Sequence, residues 1–272
     1  MADIPASFPP GRLTHPAPVP IRAVVFDLGG TLEEIYYDDR VRREAARGVQ
    51  ALLERHDLHP GLSPQDLHAV IEAGLAAYQH WRQETDLELQ AERVWTEFVF
   101  PDGAGGRLPR DRLTAVAEDL AFFYENHAYV RRLRPEAPAV LEALREHGFR
   151  LAVVSNIVSR RLVPANLRAY GVAHFFEHVV VSSVVGVRKP SPQIFLEAAR
   201  RLDLPPAACA FVGDTVSRDV VGARRAGYGL VIKIRSFLTD RADSGADTEE
   251  PDAVICDLRG VLPLVTGRAQ PG

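Results

Sequence analysis

The sequence predicts an α/β protein in which a doubly wound parallel sheet carries an inserted all-helical domain. Short runs rich in Val, Ile, Leu and Phe alternate with helical patterns, which is typical of strands joined by right-handed helical crossovers. In addition, about 120 residues separate the first two of these runs and show almost no strand pattern. A structureless loop of that length is implausible, so the segment is predicted to be a domain of its own.

Six apolar runs are predicted strands. They are nearly continuous in apolar residues rather than alternating, a pattern that indicates burial on both faces of a parallel sheet. The predicted strands span residues 21–27, 150–155, 179–182, 208–214, 230–234 and 253–256.

Helices are predicted between most of these strands. The segment 137–147 ends before Gly148, a residue suited to the position after a helix. The segment 192–202 follows Ser191, a possible N-cap, and 217–226 ends before Gly227.

The long insertion contains four amphipathic patterns. They predict helices at 39–56, 63–85, 87–98 and 110–128, with a loop at 101–111. We therefore assign 21–32 and 131–265 to the sheet domain and 33–130 to a helical cap. Because the cap departs just after the first strand, it is expected to stand over the carboxyl ends of the strands.

Composition limits the classes of function. The chain has 272 residues, is 46% hydrophobic and has a net charge of −4, which gives no electrostatic footprint for nucleic acid. No apolar stretch approaches the roughly 18 residues that a membrane span needs. Residues 1–20 are proline-rich without the apolar core of a signal peptide, and they predict a disordered tail. These features favour a soluble cytoplasmic protein, and the oligomeric state is not indicated.

Two smaller features complete the composition. Cys209 and Cys256 lie in apolar runs and are expected to be buried thiols rather than a disulfide. The polar segment 239–250 is expected to be a solvated loop before the last strand.

Polar side chains follow the predicted strands where ligands bind in such sheets. Asp27 ends the first strand, Ser155 the second and Asp214 the fourth, with Asp219 five residues later. Lys189, one of only two lysines, precedes a helix after the third strand. Each residue alone has an ordinary structural explanation, but together they would require several independent coincidences.

This set of residue types suits phosphoryl transfer. A carboxylate can attack phosphorus, and carboxylates with a backbone carbonyl form the hard-oxygen site that Mg²⁺ prefers. A serine hydroxyl and a lysine ammonium can stabilise charge on the phosphoryl oxygens. The predicted ligand is a small phosphorylated metabolite.

Four motifs resemble those of the haloacid dehalogenase-like hydrolases, in order and at similar spacing. They are FDLGGTL (26–32), VVSN (153–156), RKPSPQIF (188–195) and VGDTVSRDVVGARRAG (212–227), and the resemblance covers about residues 21–260. It implies a Rossmann-like core, and the insertion resembles the family's C1 cap.

The resemblance also implies roles for individual residues. Asp27 would be the nucleophile and a metal ligand, with the carbonyl of Gly29 and the carboxylate of Asp214 completing the protein ligands of Mg²⁺. Asp219 would bind the metal through water or hold Lys189. The residues implied for phosphoryl binding are Ser155 and Lys189. Thr31 and Asn156 are further candidates for substrate binding, and Thr215 is a candidate for a place in or beside the site.

Gly29 departs from the family pattern, because phosphatases and phosphomutases of the family usually have there an aspartate that acts as general acid and base. General acid–base catalysis is typically worth about 10²–10⁴ in rate. The missing proton donor argues against a phosphomutase. Replacement donors considered from the sequence are Glu33, Glu34, Asp38, His80 and His127.

The leading hypothesis is a Mg²⁺-dependent phosphatase that forms an aspartyl phosphate. One alternative is a degenerate family member that binds a phosphorylated ligand with little turnover. A metal-independent dehalogenase is a second alternative, disfavoured by Asp214. A phosphonate hydrolase would need a cap lysine, and the cap contains none. The aromatic residues Tyr36, Tyr37, Trp81, Trp95 and Tyr124 are candidates for either a pocket or the cap core.

Overall fold

The computed structural model describes residues 19–236 and 249–267. The predicted tail at 1–20 and the predicted polar loop at 239–250 therefore lie almost entirely outside the described residues.

Six parallel strands form the main sheet. The strand β1 (Ala23–Phe26) lies at its centre between β4 (Arg150–Ser155) and β6 (Cys209–Gly213). The sheet continues through β5 (His178–Val181) on one side, and through β7 (Leu230–Ile234) and β8 (Ala253–Ile255) on the other. The order β5-β4-β1-β6-β7-β8 reverses direction between β1 and β6, as in doubly wound folds, and the predicted fold class is confirmed.

The central strand is buried on both faces, as its apolar sequence predicts. Val24 and Phe26 pack into one hydrophobic cluster, and Ala23 and Val25 pack into another on the opposite face. All four residues have no exposed surface. Because helices pack on both faces of β1, the end of this strand has a fixed position at the edge of the sheet. The position of Asp27, the residue that follows it, is therefore fixed as well.

Helices cover the sheet and build the insertion. In chain order they are α1 (Asp39–Arg55), α2 (Pro64–Thr85), α3 (Ala91–Arg93), the distorted turn α4 (Gly103–Gly106), α5 (Arg110–His127), α6 (Ala137–Glu146), α7 (Leu162–Ala169), α8 (Ser182–Val185), α9 (Pro192–Arg201), α10 (Val221–Arg225) and α11 (Val261–Thr266). A segment of π-helix at Val94–Val99 extends α3, and another at Val216–Val220 precedes α10.

The insertion has its own hydrophobic core between α1, α2 and α5, with Trp95 and Tyr78 among its largest buried side chains. Asp38 caps α1 and Ser63 caps α2, each by accepting a backbone N–H bond from within the first turn. The predicted helix at 87–98 is only partly correct. Residues before Ala91 are extended, because Leu87 forms a β-bridge with Val187 of the sheet domain.

An antiparallel ribbon that the sequence pattern does not indicate joins the two parts. Its strands are β2 (Glu33–Tyr36) and β3 (Val130–Leu133), the segments that enter and leave the insertion. Both strands are four residues long and rich in charge, so neither shows a strand pattern. The domain boundaries predicted at 33 and 130 fall on this ribbon, and the segment between them is therefore not all helical.

The two cysteines differ. Cys209 is buried at the start of β6, as predicted, whereas Cys256 is exposed, so the prediction of a buried thiol there is wrong. Cys256 follows β8, a three-residue strand at the edge of the sheet whose side chains remain partly exposed. Among the described residues, no helix combines the length and the apolar composition needed to cross a membrane.

Candidate active site

The predicted polar residues meet at the carboxyl edge of the sheet. Phe26 of β1 pairs with Val153 on one side and Val212 on the other, so the three strands end at nearly the same level. Asp27 follows β1, and its backbone N–H donates to the carbonyl of Val212 at 2.9 Å. Ser155 is the last residue of β4, and Asp214 follows β6. Regular parallel pairing therefore delivers three polar side chains to one place.

Lys189 bridges two of the carboxylates. Its Nζ lies 2.8 Å from Oδ1 of Asp27 and 2.7 Å from Oδ1 of Asp219, and its side chain is 3% exposed. Burial opposes its charge, but Asp219 and Asp27 outweigh burial and raise the pKa of Lys189. The lysine is therefore a fixed positive charge beside Asp27.

Asp219 accepts hydrogen bonds at both of its carboxylate oxygens. Its second oxygen, Oδ2, accepts from the backbone N–H groups of Asp214 and Thr215, at 3.2 and 3.0 Å, and from the Thr215 hydroxyl at 2.7 Å. Burial opposes ionisation, but Lys189, Arg218 and these bonds together lower the pKa of Asp219. The geometry favours Asp219 as the group that holds Lys189, and it places Thr215 in support of Asp219.

Asn156 connects two of the motifs. Its side-chain amide donates to the carbonyl of Lys189 at 2.9 Å, and its Oδ1 accepts from the Lys189 N–H at 2.8 Å. This paired contact ties the end of β4 to the loop that carries the lysine. Asn156 borders the cavity described below, but both ends of its amide are engaged in positioning Lys189.

Three carboxylates lie close enough to share a metal ion. Asp27, Asp214 and Asp219 each offer an oxygen atom within 4.8 Å of the others. Burial, followed by the charges of Asp219 and Asp27, raises the pKa of Asp214 to about 7, and burial raises the pKa of Asp27 despite Lys189. The three buried carboxylates outnumber the one lysine that pairs with them, and a cluster of oxygen ligands with this negative excess suits a divalent cation.

The two glycines after Asp27 have different constraints. Gly30 has a φ of +86°, and a Cβ added there would lie 2.2 Å from Oδ2 of Asp214, so a side chain cannot fit. Gly29 is outside the left-handed region. A Cβ at Gly29 would lie 3.5 Å from the Ile35 side chain and 3.8 Å from Nη1 of Arg131, which are ordinary contacts. The structure therefore has room for a side chain where the family usually has aspartate.

A cavity of about 530 Å³ opens above Asp27, between the sheet domain and the insertion. Asp27, Gly29, Ser155, Asn156 and Lys189 form its floor. Thr31 has no exposed surface, and its hydroxyl has no hydrogen-bond partner among the described residues. Its predicted role in substrate binding remains a prediction.

The proton donors considered from the sequence are engaged elsewhere. Glu33 is buried and accepts from Arg131 at 2.7 Å, and Glu34 points to the outer face of the ribbon. Asp38 caps α1, while His80 pairs with Glu84 at 3.3 Å on the surface. His127 is exposed and stacks on Phe123. Within the part of the chain that the structure describes, none of the five candidates lines the cavity.

Glu125 of α5 does line the cavity, although no pattern in the sequence singles it out. Its two carboxylate oxygens accept from the backbone N–H groups of Val158 and Ser159, at 2.9 and 2.7 Å, so it ties the insertion to the loop after β4. Burial raises the pKa of Glu125 to about 7, although these two N–H groups oppose the shift.

Two further polar residues near Asp214 were also missed. Ser236 Oγ donates to Oδ2 of Asp214 at 2.5 Å, and Ser236 lies two residues beyond β7, at the same edge of the sheet. Arg218 lines the cavity, and its Nε donates to Thr215 Oγ1 at 3.4 Å. Both residues could have been found from their positions in the sequence, because Ser236 follows a predicted strand and Arg218 lies between Asp214 and Asp219.

The upper wall of the cavity is partly aromatic. Tyr37, Trp95 and Tyr124 contribute to it, as considered from the sequence. Trp81 instead stacks on Tyr78, with ring centroids 5.9 Å apart, and Tyr36 is exposed.

Comparisons with known proteins agree with this geometry. Residues 21–227 match the family model described as haloacid dehalogenase-like hydrolase. The chain is 32% identical to a glyceraldehyde 3-phosphate phosphatase from Methanopyrus kandleri, over 90% of this chain and 97% of the relative. It is 34% identical to a phosphoserine phosphatase from Thermus thermophilus, over 89% and 90% of the two chains.

A solved structure shows the same fold. The crystal structure of a 2-haloacid dehalogenase from Pseudomonas syringae pv. tomato superposes with a TM-score of 0.63 at 24% identity, covering 91% of this chain and 99% of the other. With the family model matched over most of its length, the chain belongs to the haloacid dehalogenase-like hydrolases.

Proposed function

We propose that the protein is a Mg²⁺-dependent phosphatase that hydrolyses a small phosphorylated metabolite through an aspartyl phosphate on Asp27. The observation that carries this proposal is the position of the Asp27 carboxylate, 2.8 Å from the buried Lys189 ammonium on the floor of a cavity of about 530 Å³. Relatives named as phosphatases support it.

The residues on the floor have separable roles in this reaction. The Asp27 carboxylate attacks phosphorus, the phosphorus–oxygen bond to the leaving group breaks, and the departing alkoxide takes a proton from water. Water then attacks phosphorus, which releases phosphate and restores the carboxylate. Lys189 and Ser155 stabilise charge on the phosphoryl oxygens, and Asp219 holds Lys189 in place.

The carboxylates of Asp27 and Asp214 and the carbonyl of Gly29 would hold the metal ion. Mg²⁺ at this position would neutralise the repulsion between the carboxylates and an anionic phosphate. The cytoplasmic location expected from the sequence belongs to the same proposal and stays a prediction.

Gly29 favours a second candidate, a protein that binds a phosphorylated ligand with little turnover. One assay separates the two candidates and the dehalogenase alternative. Hydrolysis of p-nitrophenyl phosphate that requires Mg²⁺ and stops in EDTA supports the phosphatase. No hydrolysis with added Mg²⁺ supports the binding protein, and chloride release from a 2-chloroacid in EDTA supports the dehalogenase.

A further inference from the structure

Arg188 is a buried cation in the cavity wall with no hydrogen-bond acceptor among residues 19–236 and 249–267. It directly precedes Lys189, is 3% exposed and lines the cavity. Its Nε is buried without a hydrogen bond, and the carboxylate it faces, that of Glu88, lies 3.5 Å away. A buried guanidinium that donates no hydrogen bonds is costly, and an anion that accepts from it removes part of that cost.

Arg82 of α2 shares the same carboxylate. Its Nη1 is 3.5 Å from Oε1 of Glu88, while Oε2 of Glu88 faces Arg188. Glu88 also accepts from the hydroxyl groups of Tyr78 and Ser182. The single carboxylate of Glu88 therefore contacts two arginines and two hydroxyl groups. Because it neutralises only one of the two guanidinium charges, an excess of one positive charge remains on the arginine pair.

Two other arginines of the cavity, Arg42 and Arg131, are each matched by one carboxylate, and a third, Arg218, acts on the carboxylates of the sheet end, Asp27, Asp214 and Asp219. Arg42 lies 2.9 Å from Glu72, and Arg131 lies 2.7 Å from Glu33. These distances are normal for charge-assisted hydrogen bonds, whereas both contacts to Glu88 are longer. The excess positive charge is therefore concentrated at Arg82 and Arg188.

Backbone hydrogen bonds hold Glu88 and Arg188 beside each other. The N–H of Glu88 donates to the carbonyl of Gly186 at 3.0 Å, and the N–H of Arg188 donates to the carbonyl of Asp86 at 3.1 Å. This short antiparallel pairing joins the insertion to the loop that carries Lys189. An arginine from each part of the molecule thus borders the cavity near the proposed phosphoryl site.

Charged neighbours on several sides act on Arg188. Burial, together with the positive charges of Arg82 and Arg218, lowers the pKa of Arg188 to about 10, and Glu88 and Tyr78 only partly oppose this. The guanidinium remains charged at neutral pH. An anion bound against it would offset these unfavourable contributions.

We propose that Arg82 and Arg188 form a second anion subsite that receives a carboxylate, so that the substrate is a phosphate monoester of a small carboxylic acid. The inference rests on the proposed phosphatase function. A carboxylate matches the planar fork of a guanidinium, and its single charge balances the excess of one. The phosphate lies at Asp27 and Lys189, and the carboxylate lies at the wall where the insertion meets the sheet domain.

Matched substrate pairs test this proposal. Phosphoglycolate is compared with 2-hydroxyethyl phosphate, and 3-phosphoglycerate with glycerol phosphate, because each pair differs by a carboxylate against a hydroxymethyl group. The wild type is expected to prefer the acid of at least one pair by about tenfold or more in kcat/KM, the value of a charged hydrogen bond.

The variants Arg188→Gln and Arg82→Gln should each bring that ratio towards one, chiefly by raising KM for the acid. Arg42→Gln, a paired arginine of the same cavity, is the matched control and should keep the ratio. Hydrolysis of p-nitrophenyl phosphate without preference for either acid would overturn the subsite and leave the phosphatase standing. A preference that survives in both variants would overturn the subsite in the same way. Absence of any phosphate release would instead refute the proposed function.

Discussion

The two ends of the cavity are built differently. At the sheet end, Lys189 contacts Asp27 and Asp219 at 2.8 and 2.7 Å, and hydrogen bonds fix each group. At the insertion end, Arg82 and Arg188 each lie 3.5 Å from a single carboxylate, Glu88. The sheet end has a negative excess that suits a metal ion, and the insertion end has a positive excess that suits an anion. In the proposed function, the sheet end carries the groups that react and the insertion end carries the groups that recognise the substrate.

The largest expected effect is at the sheet end, where a change should affect every substrate. Asp27→Asn keeps the shape of the side chain but removes the nucleophile, so turnover of p-nitrophenyl phosphate should fall by about 10³-fold or more. Circular dichroism and thermal unfolding should show a folded protein. Asp38→Asn is the control, since asparagine also caps a helix, and Asp38 lies outside the cavity, where it caps α1 and accepts from the Tyr36 hydroxyl. Turnover in Asp27→Asn above a tenth of wild type would exclude this carboxylate as nucleophile.

An intermediate effect is expected at Gly29, whose carbonyl is a proposed metal ligand and which has no side chain to act as an acid. Wild-type rates should rise steeply as the leaving group becomes more acidic, so that aryl phosphates react faster than alkyl phosphates. Because the position has room and no positive φ, Gly29→Asp should fold and speed alkyl phosphate hydrolysis roughly tenfold.

Gly29→Ala is the matched control for the added Cβ, and it should give no gain. Nη1 of Arg131 lies 3.8 Å from the new Cβ and favours the ionised form of the added carboxylate, which keeps the expected gain below the usual acid–base factor. Equal wild-type rates for aryl and alkyl esters, together with no gain in Gly29→Asp, would show that another group supplies the proton.

The smallest expected effect concerns Glu125, which joins the two parts. Its pKa is about 7 in the folded protein against an ordinary value of 4.5. Between these values the folded state binds more protons than the unfolded state, so this group lowers stability as pH rises. Urea unfolding should show that the free energy of unfolding falls more steeply from pH 5 to 7 in the wild type than in Glu125→Gln. The difference is at most about 1.4 kcal/mol per pH unit. Parallel slopes would show that Glu125 does not titrate in this range.

The sheet end could be predicted from the sequence because it depends on local patterns. Asp27 and Asp214 each follow a buried apolar run, and parallel strands that pair in register bring such residues together. Of the predicted residues at this edge, Asp27, Gly29, Ser155, Asn156 and Lys189 line the cavity, whereas Thr31, Asp214, Thr215 and Asp219 are buried and do not line it.

The insertion end could not be predicted, because the contact that brings Arg188 to it joins residues one hundred positions apart in the chain. Glu88 meets Arg188 only because the segment near Leu87 pairs with the segment near Val187, and that pairing replaces the expected start of a helix. The ribbon of β2 and β3 could not be predicted for the same reason. Its four-residue, charged strands show no strand pattern of their own and form only by pairing with each other across about one hundred residues of chain.

Direct trapping of the covalent intermediate tests most directly whether Asp27 is the nucleophile. The wild type is mixed with p-nitrophenyl phosphate and Mg²⁺, quenched in denaturant during turnover and reduced with borohydride, which converts an acyl phosphate to an alcohol. The proposed mechanism predicts homoserine at position 27 by peptide mass spectrometry, only when substrate is present and never in Asp27→Asn. Continued turnover with an unmodified Asp27, or reduction at a different carboxylate, would contradict it.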